Sequence, residues 1–331
     1  MIDGTDARPT VEAALKAIVD ATDGLRRVKR TTLAPNVAVD LARIYAGGLR
    51  LKTLLHTLLQ DKAPIEELFA RPGVRHEINT PLNHVVGYSE LLLEEDGARS
   101  MAEALRAIHA AARTMFRVVN PAAATPAAEA PAGPGPTPVP DHGEARGIVL
   151  LVDDDPDHRE LLRRHVAQMG HKTQQAEHGG RALELLGKER PDVILLDIHM
   201  PVMDGFQTLT AIKDHPALKE IPVVVLSALD DIQSVARCIE LGAEDYLHKP
   251  ANAVLLNARL AGALTRKRLR DQELQYLNAV ADVSAAAVAI EMEMFEPSML
   301  DNAASRQDAI GHLARVFQSM AREIQARQDR R

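Results

Sequence analysis

Ile148-Val-Leu-Leu-Val152, followed at once by Asp153-Asp154-Asp155-Pro156, is the stretch whose reading decides the fold. Five consecutive apolar residues leave no polar face, so the segment reads as a strand buried on both sides. Val193-Ile-Leu-Leu196 ending in Asp197, and residues 221–226 ending at Ser227, repeat the pattern. Residues 173–176 and 245–247 are weaker strands, and helical stretches separate all five. Buried strands alternating with helices predict a parallel sheet covered by helices on both faces. In such a sheet, functional groups gather at the carboxyl ends of the strands.

Those ends carry the chemistry. The first strand delivers Asp153-Asp154-Asp155, the third Asp197, the fourth Ser227-Ala228, and the fifth leads to Lys249-Pro250. Carboxylates gathered at one place repel each other, so the site requires a divalent cation or a cationic side chain. An oxygen-only donor set favours Mg²⁺ over zinc. A carboxylate beside Mg²⁺ can attack a phosphoryl group and form an acyl phosphate. The cation, Lys249 and the Ser227 hydroxyl would share the phosphoryl oxygens. An aspartate-nucleophile phosphatase of the haloacid dehalogenase type would need Asp-x-Asp, whereas His199 stands two residues after Asp197.

Residues 148–156, the run Leu195-Leu-Asp197-Ile-His-Met200-Pro201-Val-Met-Asp204-Gly205, Ser227-Ala228 and Asp245-Tyr246-Leu-His-Lys249-Pro250 resemble the receiver domain of two-component response regulators. The resemblance covers residues 147–266 and implies a flavodoxin-like five-stranded parallel fold. It implies Asp197 as phosphoacceptor, and Mg²⁺ held by Asp154, Asp197 and the His199 carbonyl, with Asp153 binding through water. It further implies Ser227 and Lys249 as phosphoryl contacts, Tyr246 as the switch residue, and a cis Lys249-Pro250 bond.

Working outward toward the amino terminus, residues 121–146 hold seven Pro, eight Ala and three Gly. So little to bury cannot offset the ordering entropy, and the stretch reads as a semi-flexible tether. Everything before it reads helical: a helix capped by Thr10, a second over 36–60 weakened or bent at Gly47-Gly48, a third that follows Pro72-Gly73 and runs to about Glu95, and a fourth capped by Ser100 and ending near Val119. The last two form a helical hairpin over residues 71–120, which gains most by pairing with a second copy into a four-helix bundle. Residues 1–70 form an N-terminal helical region.

On the third helix, His76-Glu77-Ile-Asn79-Thr80-Pro81-Leu-Asn83 resembles the phosphoacceptor helix of the dimerisation and phosphotransfer domain of histidine kinases. An imidazole beside a carboxylate can take a phosphoryl group on nitrogen while Glu77 takes the proton. Thr80, one turn on, can orient a water for dephosphorylation. Asn79 stands where the family usually carries a basic residue. No Asp-x-Gly-x-Gly, Asn-rich box or P-loop occurs, so self-phosphorylation from ATP is not expected; activity is limited to phosphotransfer and weak aspartyl-phosphate phosphatase.

Beyond residue 266 the apolar spacing continues through Leu274, Leu277, Val280 and Val283, and Ile310, Leu313, Phe317, Met320 and Ile324 recur at alternating steps of three and four. Residues 267–331 therefore read as a helical linker with a short coiled-coil seam. Ser305 to Arg322 resembles the HAMP-like signalling linker found before cyclase or phosphatase output domains. Either an output domain follows in the natural gene, or the helix contacts a separate effector.

Composition narrows the classes. A net charge of −7 argues against nucleic acid as partner. With four Tyr, five Phe and no Trp, stacking platforms for bases or sugars are not expected. The single Cys238 excludes an internal disulfide and a cysteine zinc site. Neither a signal peptide nor a membrane-spanning run is present, so a cytoplasmic protein without membrane partners is expected. The expected partners are a sensor histidine kinase, a second copy and a downstream effector or output domain. The alternative is the regulatory portion of a cyclase, phosphatase or histidine kinase.

Overall fold

The computed structural model describes residues 7–26, 33–121, 147–227, 232–251, 253–291 and 295–328. Ala228 and, apart from Pro121, the expected tether over 121–146 lie outside them. Helices α1 (Arg8–Arg26), α2 (Pro35–Leu59), α3 (Ile65–Ala70), α4 (Pro72–Glu94) and α5 (Ala102–Val119) precede the sheet, a 3₁₀ turn over Asp96–Met101 joining the last two. On α5 the buried positions Leu105, Ile108, Ala112, Met115 and Val119 recur at steps of three and four, giving one apolar stripe.

That stripe is covered from within the chain. Helix α1 packs on α5, α2 on α4, and α1 on α2, so four long helices close into a bundle. The four-helix arrangement expected from two copies is built here by one, because α1 and α2 bring Val11, Ile18, Val37, Ile44, Leu51 and Leu55 into the same core as Ile78, Leu82 and Val85. Three local expectations change with it. Thr10 lies inside α1 rather than capping it, and Ser100 lies in the 3₁₀ turn. Helix α2 runs unbroken through Gly47-Gly48, whose missing side chains allow close approach: a Cβ at Gly47 would lie 2.9 Å from Val85 Cγ2 and 3.1 Å from the Pro81 carbonyl oxygen.

The sheet holds β1 (Ile148–Val152), β2 (Lys172–Ala176), β3 (Val193–Asp197), β4 (Val223–Ser227) and β5 (Asp245–His248) in the order β2-β1-β3-β4-β5. All four pairings are parallel, the doubly wound arrangement in which helices cover both faces. Strands β3 and β4 are buried at every position, while β2 and β5 are edges with polar residues. Helices α6 (Pro156–Gln168), α7 (Gly179–Leu186), α8 (Gly205–Asp214) and α9 (Ile232–Glu240) alternate with the strands. Asp155 caps α6 and Asp204 closes a capping box with Gln207 on α8, so a loop carboxylate starts each of these helices.

Helix α10 (Ala253–Glu291) begins on the sheet, burying Leu256, Leu260 and Leu264, and enters a second compact unit, Thr265–Arg331. In that unit Ala279, Ala286, Leu300, Ala303 and Ala314 form a small core, joined by α11 (Asp301–Ala304) and α12 (Ala309–Gln328). Helix α12 buries Ala314 and Gln318 and packs Ile310 and Phe317, leaving Leu313 43% and Met320 57% exposed. Ile310 and Phe317 of the expected seam thus pack within this unit, while Leu313 and Met320 on the same face of the helix stay exposed.

Two stability measurements follow from this packing. Gly47→Val forces a branched side chain against the Pro81 backbone and is expected to cost about 2–3 kcal/mol in denaturant unfolding. His165 is buried on α6 with neither ring nitrogen hydrogen-bonded, and burial pushes its pKa down to about 4. Unfolded histidine titrates near 6.5, so the unfolded chain takes up more protons between those values. Stability should fall by about 2–3 kcal/mol as pH drops from 6.5 to 4. His165→Leu should flatten that slope, and an unchanged slope would refute the assignment.

Candidate phosphoryl-acceptor site

Strand ends assemble the site. Parallel β1 and β3 are adjacent, so Asp153 after one and Asp197 at the end of the other meet at the same edge. Lys249 follows directly on β5 and precedes a cis Lys249-Pro250 bond, and its amide donates to the Ser227 carbonyl oxygen at 2.8 Å. Its ammonium reaches Asp153 Oδ2 at 2.7 Å and Asp197 Oδ2 at 2.7 Å. One cation thus bridges two buried carboxylates. Asp154, exposed, brings a third carboxylate within 4.8 Å of both.

The two buried aspartates differ in their support. Burial drives Asp153 upward, but His158 and Lys249 outweigh it and hold the carboxyl well below its ordinary range; His158 Nδ1 donates to Asp153 Oδ2 at 2.6 Å. Asp197 is pushed up by burial, only partly opposed by Lys249, and the charge of Asp153 adds to the rise. Asp154 is also raised, by burial and by Asp153. Lys249, which burial alone would lower, is raised by the two carboxylates. Three carboxylates facing one ammonium and an imidazole form an under-neutralised, oxygen-rich set, and the residues fit a hard divalent cation such as Mg²⁺.

The remaining expected residues fall around this centre. Ser227 is buried at the end of β4, its hydroxyl 3.4 Å from His248 Nδ1. The His199 amide donates to Asp197 Oδ1 at 3.4 Å. Tyr246 on β5 is half-buried and meets His248 edge-to-face with ring centroids 5.2 Å apart. On α4, His76 and Glu77 are exposed side by side, and the Thr80 hydroxyl donates to the His76 carbonyl oxygen at 3.2 Å. Asn79 exchanges amide hydrogen bonds with Asn120 at 3.1 and 2.9 Å, tying the start of α4 to the end of α5.

Sequence reasoning passed over His158 and placed Asp155 at the strand end without a role of its own. His158 falls on the first turn of α6, five residues after Asp153, a spacing that could have marked it. Asp155 caps α6 through the amides of Asp157 and His158 and accepts a hydrogen bond from His84 Nε2 at 2.8 Å. Burial raises its carboxyl, but His84 and the capping amides outweigh that and hold it at about 2.

Residues 149–261 match the response regulator receiver domain family, and residues 72–121 match the His Kinase A (phospho-acceptor) domain family. The response regulator MprA of Mycobacterium ulcerans is 36% identical over 125 residues, 38% of this chain and 53% of that protein. The response regulator PleD of Caulobacter vibrioides is 38% identical over 131 residues, 40% of this chain and 29% of that protein. A probable cyclic di-GMP phosphodiesterase of Vibrio cholerae is 37% identical over 123 residues, 37% of this chain and 28% of that protein. The chain therefore spans less than two thirds of the length of these curated relatives. A putative response regulator from Chloroflexus aurantiacus, known as a crystal structure, is 32% identical with a TM-score of 0.36, covering 36% of this chain and 98% of that one. Among the described residues, no helix is long and apolar enough to cross a membrane.

The bridging ammonium makes two substitutions differ in sign. Lys249→Met strands two buried carboxylates and should destabilise the domain by about 3–5 kcal/mol in metal-free thermal unfolding. Asp197→Asn removes one of two like charges while Lys249 keeps Asp153, so it should leave stability unchanged or raised. Equal losses for both would refute the bridged arrangement.

Proposed function

We infer that this chain, which joins a receiver domain to a histidine-kinase-type phospho-acceptor hairpin and so fits a hybrid two-component protein, accepts a phosphoryl group on Asp197 and passes the signal through its C-terminal helices. The bridge from Lys249 to both Asp153 and Asp197 is the observation that carries the reading. It keeps a buried nucleophilic carboxylate beside a cation that can transfer its contact to incoming phosphoryl oxygens.

The donor is a phosphohistidine of a sensor histidine kinase, or His76 of this chain acting as relay. A carboxylate oxygen of Asp197 bonds to phosphorus as the nitrogen–phosphorus bond breaks, and the electron pair returns to the imidazole nitrogen, which then takes a proton. Lys249 neutralises one phosphoryl oxygen and the Ser227 hydroxyl donates to another. Asp153, Asp154, Asp197 and the His199 carbonyl would hold Mg²⁺, which supplies charge neutralisation for the in-line transfer. At His76, an imidazole nitrogen bonds to phosphorus as the donor's own bond to phosphorus breaks and its electron pair stays with the donor, Glu77 takes the displaced imidazole proton, and Thr80 orients a water for dephosphorylation.

Phosphorylation adds nearly two negative charges at Asp197. Ser227 turns toward them, Tyr246 moves inward, and the change passes into α10, which leaves the same sheet. A second copy joins through the C-terminal helices, where Leu269, Leu274 and Leu277 are exposed, and a downstream effector reads the result. The similarity to a probable cyclic di-GMP phosphodiesterase supports a second reading, in which this chain is the regulatory portion of an enzyme.

Incubation with acetyl phosphate and Mg²⁺, followed by mass mapping, should place the label on Asp197. EDTA or Asp197→Asn should abolish it, and a folded protein that takes no label would overturn the reading. Beryllium fluoride should alter hydrogen exchange across residues 256–325; identical protection in both states would remove the C-terminal helices as the signal path.

A further inference from the structure

The receiver rests against the bundle by α6. Leu161 of α6 belongs to the bundle's buried core, and it lies over a helix position with no side chain: a Cβ at Gly87 would come within 2.2 Å of Leu161 Cδ2. The Tyr88 hydroxyl, fully buried with its ring, donates to the Asp157 carbonyl oxygen at 2.8 Å. His84 pairs with Asp155 at 2.8 Å, and Arg43 Nε pairs with Asp157 Oδ1 at 3.0 Å. Arg164 pairs with Asp40. Charges alternate across this contact, so each side is complementary to the other in only one register.

Two of these partners, Asp40 and Arg43, are on α2, outside residues 72–121 that match the phospho-acceptor family. Asp40 is the telling one. It is fully buried, its Oδ2 is met by Arg164, and its Oδ1 has no hydrogen-bond partner. Arg43 Nη1 approaches Oδ1 only to 3.7 Å. A buried carboxylate is tolerated when paired and is expensive when its partner leaves. The nearest counter-charge to Asp40 therefore comes from the receiver, and the bundle is built to be docked there.

We propose that α1 and α2 act as a built-in partner for the hairpin α4–α5, closing its bundle in place of a second copy and, through Asp40 and Arg43, selecting this chain's own receiver as the domain seated against it. The consequence for relay rests on the reading of His76 and Asp197 as donor and acceptor: the acceptor domain is held in cis, ahead of receivers from other proteins. The docking itself does not depend on that reading.

Zero-length carbodiimide coupling in the full chain tests it. Arg43→Lys supplies an amine where Asp157 is the carboxylate, and the expected product is a link to Asp157 within one chain, at monomer mass and absent when Asp157→Asn is added. A link joining two chains, at twice that mass, or no link in a folded protein, would overturn the proposal. Charge reversal gives an independent arm: Asp157→Arg alone should speed hydrogen exchange severalfold across residues 84–92 and 158–166, and adding Arg43→Glu should restore protection. Equal exchange in all three proteins would overturn the selective role of α2. Loss of Asp197 labelling with the intrachain link intact would instead overturn the phosphotransfer reading and leave the docking standing.

Discussion

A single ammonium bridges the two buried carboxylates at the carboxyl end of this sheet. Parallel strands end at one edge, so a fold that places aspartates after β1 and β3 concentrates negative charge where there is least water to screen it. Lys249 answers that charge at 2.7 Å on both sides, and the tight path from β5 delivers it. His158 supports Asp153 from the first turn of α6. The unequal support leaves Asp153 firmly ionised and Asp197 the less stabilised anion. That is the asymmetry expected between a structural carboxylate and one that must react.

Burial explains which parts of the fold could be read from sequence. Strands β1, β3 and β4 are covered on both faces, so their apolar runs have no other use. Strand β2, Lys172-Thr-Gln-Gln-Ala176, is an edge whose exposed positions dilute the pattern. The helices of the bundle were legible as helices, and α4 and α5 as a paired hairpin, but the closure of that hairpin by α1 and α2 was not. Gly47-Gly48 reads as a weak point when helix propensity alone is weighed. In three dimensions the pair is where α2 approaches α4 and α1, with Gly48 facing Ile18. Propensity describes a helix alone, and here packing overrides it.

The site divides in the same way. Asp153, Asp154, Asp197, Ser227 and Lys249 stand at strand ends in the order the parallel topology requires, so local pattern reveals them together. The residues joining bundle to receiver carry no such pattern. His84 meets Asp155 across 71 positions and Asp40 meets Arg164 across 124, and each residue alone reads as a solvated polar position on a helix. Long-range complementarity is invisible until the partner is placed.

Asp155 is where the two halves of the molecule become one physical system. Its amide donates to Asp153 Oδ1 at 2.9 Å, its Oδ1 caps α6, and its Oδ2 receives His84 from the bundle. The residue therefore touches the acceptor pocket, the docking helix and the phosphotransfer helix at once. A rearrangement that moves Asp153 shifts the start of α6, and α6 carries Leu161 and Arg164 against α4 and α2. The pocket carboxylate Asp153 and the seating of the receiver thus share contacts through one residue, Asp155.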